Sequence, residues 1–302
     1  MISSPEKVLI TGCHGLLGQK LVGVLKATHR IYGVDLGTST IFSDQTSFHY
    51  FPLDITEEKS VKELVRVIKP DVIINTAAYT DVDGCEKSPE LCFRVNVGGV
   101  KNLVQAARGV GARVVQLSSD YVFDGREGPY REEDTPNPLG IYGKSKLESE
   151  KILQESRISY TIIRTMILYG WAKGVRANFV TWLLDRLKYG EMVRIVDDQE
   201  GNPTLADDLA RAIKRVLILG RSGVYHMCGR ERTSRYRFAL KIARFFSLDC
   251  ALIHPAKTDE LDQKAKRPLK SGFILKKAEG ELGHKFMNVE ESLKVMASQM
   301  GC

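Results

Sequence analysis

The chain has 302 residues, 43% hydrophobic and 27% charged, and 44 Lys and Arg against 37 Asp and Glu leave a formal net charge of +7. This is an ordinary globular composition with no run near the ~20 apolar residues of a membrane span; its bases are mixed with acids, which argues against nucleic acid but suits a small, multiply anionic ligand. Six scattered cysteines without a Cys-x-x-Cys pair predict neither a disulfide framework nor a zinc site, and no apolar run follows Met1–Lys7, so no signal peptide is read and a cytoplasmic location is expected.

The first element is an apolar strand, Val8-Leu9-Ile10, running into Gly12, Gly15 and Gly18 at G-x-x-G-x-x-G spacing. In a strand–turn–helix such glycines allow a tight turn, a close approach of backbone to a pyrophosphate, and close packing of the helix on the strand. Leu17, Leu21, Val24 and Leu25 then mark a helical face whose N-terminus suits phosphate. Ile31–Asp35 reads as a second strand ending in a carboxylate, about the ~20 residues beyond the first glycine at which an acid bonds the adenosine ribose. Asp35 would repel a 2′-phosphate, which leans towards NADH. Phe48–Leu53 is a third strand, followed by Asp54 and Ile55. A helix faced by Val61, Leu64, Val65 and Ile68 stops before Pro70, and Asp71–Asn75 is a fourth strand. The small residues Thr76, Ala77 and Ala78 would let backbone lie against a flat cofactor. Asn96, then Val100, Leu103, Val104 and Ala107, lie on the next helix, and Arg113–Leu117 is a fifth strand ending at Ser118-Ser119-Asp120. Strands alternating with helices, without hairpins, predict an α/β, doubly wound parallel sheet of Rossmann type.

Tyr142 and Lys146 fall at i and i+4, on one face of a helix. A lysine ammonium beside a phenol favours the phenolate; moving its pKa from ~10 to about 7 takes roughly 4 kcal/mol. Ser119, ending a parallel strand, stands where open α/β sheets bind ligands. Further on, Tyr160–Arg164 reads as a strand, Arg176–Tyr189 as a helix and Met192–Val196 as a strand. Thr204 and Asp207 form an S/T-x-x-D start to a helix that buries Leu205, Leu209, Ile213, Val216 and Leu217. Val224–Met227 reads as a strand whose His226 is structural, and Ser234–Phe246 as a helix. Residues 1–165 are expected to form the dinucleotide-binding domain, with 192–227 returning to it. A smaller substrate domain takes 166–191 and 228–302.

Several of these runs together resemble the dTDP-4-dehydrorhamnose reductases, a branch of the extended short-chain dehydrogenases/reductases. They are the TGCHGLLG turn, NTAAYTDVDGCE, LSSDYVFDG, the Pro-Leu-Gly-Ile-Tyr-Gly-Lys-Ser-Lys helix start, Asp198–Thr204 and Lys266–Ser271. The resemblance spans nearly the whole chain and implies an NADPH- or NADH-dependent reductase of a 4-keto nucleotide sugar. It implies Ser119, Tyr142 and Lys146 as the catalytic trio. Gly12, His14, Gly15, Leu16, Leu17, Asp35, Asp54, Ile55, Ala77, Ala78 and Asn96 would lie on the cofactor side, and Tyr79, Asp120, Tyr121 and Arg267 on the substrate side. In the family the Arg267 segment lies beside the diphosphate. A homodimer is compatible with the resemblance; membrane and nucleic-acid partners are not expected. The chain departs from the pattern where Met166-Ile167 replaces a common Ser-Trp beside the sugar, with Trp171 close behind, and where Lys20 replaces a glutamate that binds metal in some members, so no metal is expected. A 4,6-dehydratase or 4-epimerase of the same fold is the alternative enzyme, although Asp120 supplies only one acid. A non-catalytic protein like the regulatory subunit of methionine adenosyltransferase is the alternative from another class.

Overall fold

The computed structural model describes residues 5–42 and 47–301. In β1 (Lys7–Thr11), Val8 and Ile10 enter the core on one face of a sheet and Leu9 the core on the other, the period-two alternation of a strand covered on both sides. α1 (Leu16–Leu25) buries Leu17, Leu21 and Leu25 on the first of these faces. β2 (Arg30–Asp35), β3 (Phe48–Pro52) and α2 (Glu58–Ile68) follow. α2 stops where Lys69 turns left-handed, at φ 49°, ahead of Pro70. Then come β4 (Val72–Asn75), the short α3 (Val82–Lys87) and α4 (Pro89–Phe93), a π-helical turn at Arg94–Gly98, and α5 (Gly99–Val110). β5 (Arg113–Ser119), α6 (Ile141–Glu155) and β6 (Tyr160–Thr165) complete this half of the chain.

β7 (Leu168–Tyr169) leads to α7 (Phe179–Lys188), which starts three residues later than the sequence suggests because Asn178 and Thr181 close a capping box there. β8 (Val193–Val196), β9 (Glu200–Gly201), β10 (Thr204–Leu205), α8 (Ala206–Ile218) and β11 (Gly223–His226) come next. β12 (Thr233–Ser234), α9 (Arg235–Phe245), β13 (Ile253–Ala256), α10 (Lys276–Leu282) and α11 (Val289–Met300) end the chain.

The main sheet has seven strands in the order β11-β6-β5-β4-β1-β2-β3, every pair parallel. It is the expected doubly wound Rossmann-type sheet. β1 has β2 on one side and β4 on the other, so the winding reverses there, and the crevice beyond the carboxyl ends of these strands is the ligand position of an open sheet. A third core, apart from the two on the sheet faces, is built by Leu183 and Leu187 of α7, Ile195 of β8, Phe238 and Ile242 of α9, Ile253 of β13 and Leu293 and Met296 of α11.

Two local expectations change. Thr204 does not cap α8: the helix starts at Ala206, Leu205 is its uncapped N-cap, and the Thr204 hydroxyl donates to the Asn202 carbonyl. Being locked in the β10–β7 pairing, Thr204 lies one residue too early to reach the helix N–H groups. The stretch 192–227 also divides. α8 packs on α1 and β11 on β6, whereas β8 pairs with β13 outside the seven-stranded sheet. Its Val193 and Ile195 find their apolar partners in the third core. Among the described residues no helix is long and apolar enough to cross a membrane.

Candidate active site

The glycine turn is held by contacts that only glycine permits. Gly12 has φ +67°, and a Cβ on Gly18 would stand 2.2 Å from the Gly12 carbonyl oxygen. Gly15 is the N-cap of α1; there is no side-chain cap and no acid in the first turn, so the N–H groups at Leu16 and Leu17 face an open, positive helix end. These features fit a dinucleotide pyrophosphate. Ala77 lies against Gly12, where a Cβ would come within 2.8 Å of its amide nitrogen, and Ala78 follows, part-buried. Asp35 ends β2 beside the turn, accepting the His14 N–H at 3.0 Å and the Leu36 N–H at 2.8 Å, while the His14 ring stacks on Tyr50 at 4.6 Å. Asp54 accepts the Thr56 N–H at 2.8 Å, and buried Ile55 packs against Gly99. Lys20 bonds Asp207 at 3.1 Å and Gln299 at 2.7 Å.

The Asn96 amide is taken up by protein partners. It is 2% exposed, accepts the Tyr79 N–H at 2.8 Å, and donates to the Tyr79 carbonyl at 3.1 Å and to Ser145 Oγ at 3.0 Å. With its amide spent on these partners, Asn96 clamps the loop after β4 to α6. It stands in the π-helical turn, whose wider winding lets an interior side chain reach both.

A buried polar ladder links the strand before the glycine turn to β5 and α6. Thr11 Oγ1 lies 2.5 Å from Asn75 Oδ1, Asn75 donates to Gln116 at 2.8 Å, and Gln116 donates to the Leu117 carbonyl at 2.8 Å. Lys146 Nζ donates to that same carbonyl at 2.6 Å. Ser119 ends β5 and accepts the Tyr121 N–H at 3.3 Å. Tyr121 stands edge-on to Tyr142, their ring centroids 5.4 Å apart. The structure therefore brings Ser119, Tyr142 and Lys146 to the carboxyl end of β5.

The electrostatics reverse the expected effect of the lysine. The Tyr142 phenol is raised above the ordinary tyrosine value, first by burial and then by the Asp120 charge, with the Ser119 hydrogen bond opposing. Lys146 is itself pushed down to about 8 by burial, against the pull of Glu150. Its ammonium is bound to a backbone carbonyl, and desolvation of the phenolate outweighs any charge attraction. Tyr142 thus rests as a neutral phenol at neutral pH, with its proton to give.

Beyond the end of β5, Asp120 is 6% exposed, and its carboxylate accepts from Ser119 at 3.0 Å and from Ser271 at 2.9 Å; burial raises its pKa. Tyr79 lies part-buried on the loop that Asn96 holds. Arg267 is not free: its guanidinium grips Asp83 at 2.7 and 3.0 Å and the Ala265 carbonyl at 2.8 Å, and the bond holds the Asp83 carboxyl below its usual value. Sequence reasoning missed Asp83, 184 residues from Arg267, and Ser271, the last residue of the Lys266–Ser271 run. It also missed Arg235, which lines a cleft with Asp120, Tyr121, Ile167 and Pro268. Met166 is buried and accepts the Asn202 N–H through sulfur at 3.1 Å, whereas Ile167 turns to that cleft with φ 45°. A β-branched residue in the left-handed region is strained, as residues at functional sites often are. His226 is fully buried, near Tyr130 and Arg164, and burial holds it down to about 3, the neutral histidine of a structural role.

A family sequence model described as the RmlD substrate binding domain matches residues 6–302. The chain is 34% identical over 301 residues to a dTDP-4-dehydrorhamnose reductase of Aggregatibacter actinomycetemcomitans, covering 95% of this chain and 97% of that protein. It is 32% identical over 269 residues to methionine adenosyltransferase 2 subunit beta of Bos taurus, covering 87% of this chain and 78% of that one. A crystal structure of a dTDP-4-dehydrorhamnose reductase from Bacillus anthracis in complex with NADP aligns with a TM-score of 0.85 at 32% identity, over 98% of this chain and 100% of that one.

Proposed function

Since the chain belongs to the RmlD substrate binding domain family, we propose that it is an NAD(P)H-dependent oxidoreductase that reduces a 4-keto nucleotide sugar, dTDP-4-dehydrorhamnose to dTDP-L-rhamnose. The observation that carries this reading is the convergence of Ser119, the protonated Tyr142 and Lys146 at one strand end, across the sheet's switch point from an uncapped helix N-terminus. The cofactor, when bound, supplies the hydride. Tyr142 donates its proton to the carbonyl oxygen as negative charge builds there, the work of a general acid. Ser119 orients the same oxygen and stabilises its charge by a second hydrogen bond. Lys146, anchored on the Leu117 carbonyl, holds a positive charge behind the phenol and would meet the nicotinamide ribose. A dehydratase of this fold usually adds a carboxylate pair beside the serine, and Asp120-Tyr121 supplies one acid, with both oxygens engaged by hydroxyls. We place the enzyme in the cytoplasm, acting alone or as a homodimer.

The test is oxidation of NADPH and NADH by the purified chain against a panel of 4-keto nucleotide sugars. Consumption with dTDP-4-dehydrorhamnose supports the reading. No turnover with any keto sugar, alongside tight binding to a methionine adenosyltransferase catalytic subunit, would replace it with a regulatory one.

Cofactor preference gives a second expected outcome. Asp35 presents its charge beside the turn, so Asp35→Ala should move the ratio of kcat/KM values for NADPH over NADH upward by about tenfold or more, by removing a repulsive juxtaposition. An unchanged ratio in steady-state assays with both cofactors would mean that Asp35 serves only the His14 and Leu36 amides.

A further inference from the structure

Two arginines approach the substrate side, and they differ in what they are bonded to. Arg267 is engaged by Asp83 and a carbonyl. Arg235 is the first residue of α9; its backbone N–H donates to the Gln199 carbonyl at 3.0 Å, which fixes where its side chain starts. The guanidinium lies over the Phe179 ring, 5.6 Å from its centroid, and among the described residues it has no ion-pair or hydrogen-bonding partner within contact distance. It lines the cleft with Asp120, Tyr121, Ile167 and Pro268, and its charge is felt by Asp120 and Tyr121. Tyr121 packs edge-on against Tyr142, so this part-buried cation stands one aromatic ring away from the proton donor. A guanidinium placed on an aromatic face, poorly hydrated and with its donors unspent, is a preorganised receptor for a planar or tetrahedral oxyanion.

We infer that Arg235 is a substrate-binding, specificity-determining residue that takes an anionic group of the substrate, either the diphosphate of a nucleotide sugar or a carboxylate on the sugar itself. The inference rests on the proposed reductase reading for the identity of the substrate, and on the cleft alone for the anion. It adds Arg235 to Arg267 as a candidate for that task, with Arg267 also tying α3 to the 265–268 segment through Asp83.

The test compares wild type, Arg235→Ala and Arg235→Lys, each with NADPH bound. Titration calorimetry with dTDP, inorganic pyrophosphate and thymidine reads the anion directly, and UDP-glucuronic acid against UDP-glucose reads a sugar carboxylate. If the diphosphate is the ligand, Arg235→Ala weakens dTDP and pyrophosphate by about 10- to 150-fold and leaves thymidine unmoved, with Arg235→Lys recovering part of the loss. If a sugar carboxylate is the ligand, only UDP-glucuronic acid weakens. Steady-state assays should show the larger part of the loss in KM for the nucleotide sugar. Equal affinities in wild type and Arg235→Ala for all these probes, or no binding of any of them to wild type, overturns the inference. Should wild type reduce no keto sugar while pyrophosphate binding still depends on Arg235, the reductase reading falls and the anion site stands. Matching thermal midpoints for the three proteins show that the variants are folded.

Discussion

Tyr142→Phe is expected to lower turnover at least about 100-fold while leaving NAD(P)H affinity unchanged, since the phenyl ring keeps the packing against Tyr121 and loses only the proton. The pH profile separates two accounts of this residue. A phenol pulled down to about 7 by its neighbouring lysine would lose its proton there, and the basic limb of the wild-type profile would vanish in the phenylalanine variant. In the structure the phenol lies above the ordinary tyrosine value and Lys146 is the group that titrates first, near 8. Lys146 is charged below that value and neutral above it, so activity should fall as pH rises through about 8. The same limb should persist in the residual activity of Tyr142→Phe. Turnover near the wild-type value would remove Tyr142 from the chemistry, and a limb lost with the phenol would restore the lysine-lowered account.

Features written in local spacing are legible in the sequence. The strand ahead of Gly12, the glycine turn, the end of α2 ahead of Pro70 and the Tyr142–Lys146 pair each need only a few consecutive residues and a known periodicity. What the sequence hides is set by partners far along the chain. Arg267 carries the fork geometry of a phosphate ligand, yet nothing near it announces Asp83 as the carboxylate that claims it. Asn96 shows no pattern that distinguishes a solvent-facing amide from one saturated by Tyr79 and Ser145, because that depends on a π-helical turn. β8 looks like any short apolar strand, and only its pairing with β13 assigns it outside the main sheet. The sign of the Tyr142 shift is hidden for a similar reason: spacing places two side chains on one helix face, but burial and the direction of the ammonium decide which effect wins. Arg235 has no motif around it, and only its position in the folded cleft, with no ion-pair partner for the guanidinium among the described residues, makes it a candidate.

Glu150→Gln is expected to destabilise the fold by about 3–5 kcal/mol, a large share of the 5–15 kcal/mol typical of a folded protein. Glu150 lies one helical turn beyond Lys146 and is fully buried. It accepts from Ser118 Oγ at 2.5 Å and from Arg164 through Nε at 3.0 and 3.2 Å and a terminal nitrogen at 2.7 Å. Arg164, 3% exposed, also lies over the Phe123 ring at 5.1 Å and reaches the Glu132 carbonyl and His226 at 3.4 Å. The magnitude comes from what is left behind. Two buried charges in good geometry roughly offset their own desolvation, whereas one without its partner is an uncompensated ion in a low-dielectric interior. Glutamine keeps the shape and removes the charge, so the Arg164 guanidinium is left beside the neutral His226 with no ion-pair partner within 4 Å among the described residues. Replacing both partners with apolar residues, Glu150→Leu with Arg164→Met, should therefore recover most of the loss. Urea unfolding of the single and double variants decides the matter. If the double variant is no more stable than Glu150→Gln, the network holds the fold through its hydrogen bonds to Ser118 and Glu132; if Glu150→Gln is itself near wild type, the charge on Glu150 contributes little.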